Sequence, residues 1–136
     1  DERPPADAVD YPDRAPDLVY EEVCGYQWPL IYRLMGDWHQ QHIDWGYTEQ
    51  TGLARPINHG VCTAGIAMRH AIVLLFPGQP ERLRRFKCRF TAPVLPGTRL
   101  ATQVWKVSGT EARFRMVNAD APADKPFLNA CLLEWD

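Results

Sequence analysis

The clearest periodic pattern in the chain is a run of apolar residues at steps of three and four between Val61 and Phe76. Such steps place side chains on one face of an α-helix. Pro77 and Gly78 follow, and both residue types end helices. The pattern therefore predicts one helix over residues 61–76. Its predicted apolar face consists of Val61, Ala64, Gly65, Met68, Ala71, Ile72 and Leu75.

After this helix the pattern changes to a period of two, which is typical of strands. From Phe86 to Val94, apolar residues alternate with charged or polar ones, and a Pro-Gly turn follows. Three further strands are predicted over residues 99–107, 112–118 and 127–135. One long helix followed by a run of strands predicts the α+β class, with an antiparallel sheet packed on the helix.

The segment before the long helix is less regular. Pro29 suits the first turn of a helix and Gly36 suits a left-handed stop, so a short helix is predicted over residues 29–35. Residues 37–60 are rich in Trp, His, Gln and Gly. They are more numerous than a structureless loop in a compact domain normally contains. This predicts a functional segment, short helical turns, or both.

Length and composition restrict the class of protein. The chain has 136 residues, enough for one domain. Residues 1–17 contain several prolines and acidic residues and predict an arm or linker, which leaves residues 18–136 as a single domain. The net charge of −2 argues against a nucleic-acid partner, and no apolar run is long enough for a membrane span. Four widely separated cysteines predict free thiols in a reducing cytoplasm.

The residues that suit acid–base chemistry lie between the two predicted helices. Asp37 and His42 are five positions apart, which on a continuous helix would place them on different faces. Gly36 disfavours a continuous helix, and a loop would instead turn both side chains into one cavity. A carboxylate beside an imidazole can divide the two proton transfers of a water addition. The alternative interpretation is two ordinary polar loop residues.

Gly60 lies at, or just before, the N-terminus of the predicted long helix. Backbone N–H groups are unpaired there and the helix dipole favours negative charge, so the Gly60 N–H is a candidate oxyanion donor. A tight turn into the helix is a compatible, plainer interpretation. His59 is expected to form structural hydrogen bonds at this junction. His39 and His42 alone are too few ligands for a metal site, so no metal is predicted.

Several motifs, in the same order, are similar to those of the hydratase 2 or MaoC-like family, and particularly to the catalytic half of peroxisomal multifunctional enzymes. The motifs are Tyr32–Asp37 followed by Ile43 and Asp44, then Arg55–Thr63, Phe90–Leu100 and Gln103–Lys106. The resemblance implies a hot-dog fold, in which the antiparallel sheet wraps around the central helix. It also implies a lyase that reversibly hydrates a trans-2-enoyl thioester to an (R)-3-hydroxyacyl thioester, without a cofactor.

Carried over by position, the resemblance makes Asp37 and His42 the pair that holds and activates water. It makes the Gly60 N–H the donor to the thioester carbonyl. The resemblance is compatible with either coenzyme A or an acyl carrier protein as the substrate carrier, and it leaves the direction of the reaction open.

The chain departs from the family's pattern at two places. The family usually has Asn-Pro between its catalytic Asp and His, where this chain has His39 and Gln40. Asn58 stands where an apolar residue is usual, just before His59. We expect His39, Gln40, Asn58 and the neighbouring His59 to shape the site.

The departures keep a second hypothesis open. In it, the chain is a hot-dog subunit with altered or no hydratase activity, which acts as a binding or assembly partner or in specialised, polyketide-like metabolism. Under either hypothesis a lone hot-dog sheet exposes an edge strand and much of its acyl pocket. A second hot-dog domain is therefore predicted as a partner, in a homodimer or a heteromer.

Overall fold

The computed structural model describes residues 9–136, which form a five-stranded antiparallel sheet, one long helix and several short helical segments. The strands are β1 (Leu18–Val23), β2 (Leu83–Phe90), β3 (Arg99–Lys106), β4 (Glu111–Asn118) and β5 (Leu128–Trp135). The α-helices are α1 (Trp28–Tyr32), α2 (Trp45–Gln50) and α3 (Gly60–Leu75). Short 3₁₀ turns occupy Arg33–Met35, Gln40–His42 and Pro80–Arg82. The predicted α+β class is confirmed.

The order of strands in the sheet is β1-β3-β4-β5-β2. The β3–β4–β5 meander agrees with the sequence, but two features differ from it. Strand β1 was not predicted, because Val19 and Val23 are apolar yet lie on its exposed face and hide the alternation. Strand β2 pairs with β5 at the edge and not with β3, the next strand along the chain. The connection after β2 leaves the sheet, and its Val94 carbonyl accepts a hydrogen bond from the backbone N–H of Asn58.

The core lies between the meander and the long helix. On β4, Ala112, Phe114 and Met116 are fully buried and alternate with more exposed residues, as the period of two predicts. Each large apolar side chain of this kind contributes roughly 1.5–3 kcal/mol by leaving water. All four cysteines are free thiols, as predicted, and Cys24 and Cys131 are fully buried.

Helix α3 occupies the predicted segment to within one residue at each end. Its predicted inner face is only partly correct, since Val61 and Gly65 are exposed. The helix is apolar around most of its circumference, so apolar positions alone do not identify the side that packs on the sheet. The buried residues are Thr63, Ala64, Ile66, Ala67, His70 and Ala71. Within residues 9–136, no helix combines the length and apolar character that a bilayer span requires.

His70 of α3 is completely buried and links the helix to two strands. Its Nδ1 lies 2.9 Å from the Thr102 hydroxyl on β3, and its Nε2 lies 3.0 Å from the Glu22 carboxylate on β1. Its ring stacks on Tyr20 at 4.4 Å. Arg69 also pairs with Glu22. These contacts fit a neutral imidazole that donates from Nε2, and burial lowers the pKa of His70.

The segment just before β1 lies against the sheet without forming a helix or strand. The Tyr11 hydroxyl donates a 2.9 Å hydrogen bond to a backbone carbonyl of β4. The Trp105 indole donates to the Arg14 carbonyl at 2.9 Å. The arm predicted over residues 1–17 is therefore anchored in the part that the structure describes, and residues 1–8 lie outside it. The domain boundary at residue 18 stays a prediction.

The pKa of His70 predicts a loss of stability in acid. An unfolded chain protonates this imidazole below about pH 6.5, whereas the folded chain resists protonation. The free energy of unfolding therefore falls as pH drops from about 6.5 towards the lowered folded pKa, by about 1.4 kcal/mol for each unit between the two pKa values. His70→Gln keeps a donor for Glu22 and an acceptor for Thr102, but does not titrate.

Urea unfolding of both proteins at pH 8, 6.5 and 5 measures this effect. We expect the wild type to lose more stability between pH 6.5 and 5 than the variant does. The comparison removes the contribution of titrating groups that do not contact His70. Equal losses in the two proteins would contradict the assignment.

Candidate active site

A short, capped turn brings Asp37 and His42 together. Gly36 ends the preceding helical segment in the left-handed conformation, with φ of 116°. The backbone N–H of His39 then donates to Asp37 Oδ1 at 3.3 Å, and the Nδ1 of His39 accepts from the backbone N–H of Gln41 at 3.2 Å. The 3₁₀ turn that follows places the side chain of His42 next to that of Asp37, although the two residues are five positions apart.

The spacing between these two side chains suits a shared water. Asp37 Oδ2 lies 4.0 Å from His42 Nε2. A water about 2.8 Å from both atoms would make an angle of about 90° at its oxygen, within the range that water accommodates. Asp37 is 52% exposed and His42 only 4%. One partner is therefore held in the interior, while the other remains open to substrate and solvent.

The hydrogen bonds of His42 determine which nitrogen carries the proton. Its Nδ1 lies 2.8 Å from the Ile57 carbonyl oxygen, so Nδ1 carries the proton and donates it. The lone pair of neutral His42 is then at Nε2, which lies on the side of Asp37 and accepts a 3.2 Å hydrogen bond from the Gln41 side-chain amide. Burial, assisted by the neighbouring His59, lowers the pKa of His42. The result is a neutral imidazole with its basic nitrogen directed into the site.

His59 packs against both His42 and Asp37. Its ring stacks on that of His42, with centroids 3.6 Å apart and planes 21° from parallel. Its Nε2 lies 3.2 Å from the backbone carbonyl oxygen of Asp37 and 4.0 Å from the Asp37 carboxylate. Tyr32 packs on it at 4.7 Å. His59 thus contacts both members of the pair and fixes their relative positions.

The donor atoms of Asp37, His42 and His59 all lie within 4.8 Å of one another, which raises the possibility of a metal ion. An imidazole lone pair lies in the plane of its ring. Two stacked rings therefore direct their lone pairs side by side, whereas tetrahedral coordination requires them to converge. The Nε2 of His59 is also engaged with a backbone carbonyl. The arrangement fits a hydrogen-bonded water better than an ion.

Gly60 is the first residue of α3 and lies immediately after its N-cap, His59. The N–H groups in the first turn of a helix have no partner within the helix. A Cβ placed on Gly60 would lie 3.4 Å from the Phe90 ring, so glycine keeps the approach to this backbone open. The position combines unpaired donors with the positive end of the helix dipole, which suits a developing oxyanion.

Asp37, His42 and Gly60 all line one cavity of about 430 Å³. The rest of its wall is mainly apolar, with Phe90, Val94 and Phe127 among its side chains. The remaining lining residues are Gln41, Ile57, Asn58, Val61, Thr63, Thr91, Ala92, Pro93 and Leu128. A mainly apolar cavity with a few convergent polar groups is typical of small-molecule sites.

The sequence did not identify the wall formed by residues 91–94. These residues were predicted as the end of a strand that ran to Val94, and this extent is wrong, since β2 ends at Phe90. The available signal was Pro93, because proline cannot donate to a strand ladder. Beyond Phe90 the chain instead passes close to the N-terminus of α3, and residues 91–94 form one side of the cavity.

The predicted site-shaping residues take different places. Asn58 is buried in the wall of the cavity, and His59 is buried against Asp37 and His42. His39 and Gln40 are exposed and do not line the cavity. His39 nevertheless caps the 3₁₀ turn through Nδ1, the acceptor role that an asparagine oxygen performs at helix N-caps. It therefore acts on the site through the backbone.

The environment of His42 predicts its titration. Its pKa is lowered mainly by burial, and the Asp37 carboxylate opposes part of that effect. Asp37→Asn should therefore lower the pKa of His42 further. Nuclear magnetic resonance titration of the His42 ring in both proteins measures the two values. An unchanged or raised value in the variant would mean that the carboxylate does not act on this imidazole.

Comparison with known proteins connects this geometry to one family. Residues 11–124 match the family described as MaoC like domain. The chain is 38% identical over 99 residues to the peroxisomal multifunctional enzyme type 2 of Mus musculus, covering 73% of this chain and 14% of that protein. It is 39% identical over 115 residues to the 3-hydroxyacyl-thioester dehydratase Y of Mycobacterium tuberculosis, covering 84% of this chain and 39% of that protein. The chain thus spans well under half the length of either relative.

A solved structure gives the same result for the fold. The MaoC-like dehydratase from Phytophthora capsici superimposes with a TM-score of 0.90 at 27% identity. The match covers 99% of this chain and 45% of that chain. The predicted hot-dog fold, with its sheet against the central helix α3, is confirmed.

Proposed function

The chain belongs to the MaoC-like domain family, and on that premise we propose that it reversibly adds water to an enoyl thioester. The product is a 3-hydroxyacyl thioester, and dehydration is the reverse reaction. The name of the mycobacterial relative, a 3-hydroxyacyl-thioester dehydratase, supports this reaction class. The observation that carries the proposal is the placement of Asp37 and His42 on one cavity with the N-terminus of α3.

The proposed mechanism uses each of these groups once. A water that replaces the Gln41 amide at His42 Nε2 and is also hydrogen-bonded to Asp37 Oδ2 attacks carbon 3. The π electrons of the double bond move towards the thioester oxygen. The Gly60 N–H stabilises the resulting enolate charge. The proton that the water gives up passes to one of its two acceptors and from there to carbon 2. No net change in the enzyme remains after turnover.

The geometry also supports the stereochemistry expected from the resemblance. The hydroxyl and the proton both come from the side of the substrate that faces the Asp37–His42 pair. Addition from one side is syn addition. The (R) configuration of the 3-hydroxyacyl product is what the family resemblance implies. The carrier, coenzyme A or an acyl carrier protein, remains outside the 430 Å³ cavity, which suits the acyl end of the substrate.

Exchange of one oxygen for nitrogen at Asp37 tests the proposal. Asp37→Asn and His42→Ala should each lower kcat/KM for trans-2-octenoyl-CoA about 10²–10⁴-fold, because each removes an acceptor for the reacting water. Asp44→Asn is the matched control. The Asp44 side chain caps α2 by accepting from the Tyr47 N–H, and asparagine can keep that bond. The control should retain wild-type activity.

Loss of absorbance by the enoyl thioester measures the reaction, and thermal unfolding verifies that each variant is folded. Wild-type activity in both folded variants would refute the mechanism. A wild-type protein that hydrates neither coenzyme A nor carrier-protein substrates would favour the alternative of a binding or assembly subunit.

We further propose that a second hot-dog domain covers part of this chain. Leu30, Ile31, Leu34 and Met35 are 54–82% exposed in and after α1, close to the site loop. Clustered apolar residues of this kind are typical of protein interfaces. Phe90 and Val61, on the cavity rim, are also more than half exposed. The match to only 45% of the Phytophthora capsici protein leaves room in that protein for a second domain of similar size.

Light scattering after size exclusion tests this partner. The chain alone should form a homodimer at micromolar concentration, and Ile31→Glu should make it monomeric because a charge would be buried. Val107→Glu places the same charge on an exposed apolar residue after β3 and should leave the mass unchanged. A monomeric wild type that also fails to pair with a second hot-dog chain would contradict the proposal.

A further inference from the structure

Asn58 places an unsatisfied polar group in the wall of the cavity. The side chain is 2% exposed. Its Nδ2 donates to the Thr63 hydroxyl at 3.0 Å, and that hydroxyl in turn donates to the His59 carbonyl at 3.1 Å. Its Oδ1 is buried and has no hydrogen-bond partner. A buried amide oxygen without a protein partner is uncommon, and it can accept a hydrogen bond from a bound molecule.

The Thr63 hydroxyl determines how the amide is oriented. Its single proton is donated to the His59 carbonyl, so the hydroxyl can only accept from Asn58, and the amide nitrogen must face it. The atom left without a partner is therefore Oδ1. A hydroxyl group of a ligand can satisfy this oxygen by donating a hydrogen bond to it.

The surroundings of Asn58 suggest which molecule brings that hydroxyl. Asn58 precedes Gly60 by two residues and lines the same cavity as Asp37 and His42. Much of the surrounding wall is apolar, and Val94 and Phe127 belong to it. A plain alkyl chain in this cavity would leave the Asn58 amide unpaired, whereas a chain with one hydroxyl would pair it.

We propose that Asn58 is a specificity-determining residue that selects acyl thioesters with a hydroxyl group on the acyl chain, beyond the carbons that react. This inference rests on the proposed function for its substrate class. It adds a polar recognition point that hydration itself does not need. In this proposal Asp37, His42 and Gly60 contact the reacting atoms, and Asn58 forms a hydrogen bond with a substituent of the acyl chain.

Asn58→Leu is the sharpest variant, since leucine has the same number of side-chain heavy atoms and the same branching but no polar atom. The substrates are trans-2-octenoyl-CoA and its derivatives with one hydroxyl at each carbon from 4 to 8. The wild type should prefer one hydroxylated derivative over the plain substrate by about tenfold in kcat/KM. Asn58→Leu should abolish that preference, with a gain on the plain substrate. Thr63→Ser keeps the hydroxyl that anchors the amide and should keep the preference.

Calorimetry with saturated probes separates this inference from the proposed function. Octanoyl-CoA and its hydroxylated derivatives cannot be hydrated, so their dissociation constants report recognition alone. Tighter binding of a hydroxylated probe to the wild type, lost in Asn58→Leu, supports the inference even if the protein fails to hydrate any enoyl thioester.

Two results would overturn the inference while leaving hydration intact. One is an unaltered ratio of kcat/KM between plain and hydroxylated substrates in Asn58→Leu, which would mean that a bound water satisfies the amide. The other is an equal loss on every substrate, which would assign Asn58 to the support of the reacting groups.

Discussion

The hydrogen bond from His42 Nδ1 to the Ile57 carbonyl is the interaction on which the site depends. It holds an imidazole in the interior, fixes the proton on one nitrogen and leaves the other facing Asp37. The carbonyl belongs to the segment that leads into α3, so the same bond joins the two halves of the site. The backbone N–H of Ile57 reinforces the link by donating to the Gln41 carbonyl at 3.1 Å. Burial keeps the imidazole neutral, because a charged form would lose its hydration.

Local signals were sufficient where one residue type decides the backbone. Gly36 and Pro77 mark helix ends. The 3₁₀ turn after α1 ends at Met35, and α3 ends at Leu75. Contacts between distant segments were not accessible from pattern alone. His70 illustrates this, because its burial depends on partners on two strands, one of which, β1, has no clear alternation. The edge position of β2 was likewise not predictable, because the connection between β2 and β3 leaves the sheet and β2 pairs with β5.

The pairing of Asp37 with His42 was predictable from the sequence as a hypothesis, but its geometry was not. Five positions separate the two residues, and the capped turn between them brings Asp37 Oδ2 to 4.0 Å from His42 Nε2. His39 at this cap performs a role that asparagine also performs at helix N-caps. The imidazole nitrogen accepts the same kind of backbone hydrogen bond that an asparagine oxygen would accept. The backbone of this loop therefore does not require asparagine at position 39.

The division of labour between backbone and side chains explains how such a site can change its substrate. The backbone carbonyls of Ile57 and Asp37 hold His42 and His59, and a backbone N–H at Gly60 is the proposed oxyanion donor. These contacts do not depend on which side chains form the rest of the cavity. Wall residues such as Asn58 can consequently vary without breaking these contacts. Under the proposed function, a change of substrate then requires changes in the wall alone, while the loop and the helix terminus keep their arrangement.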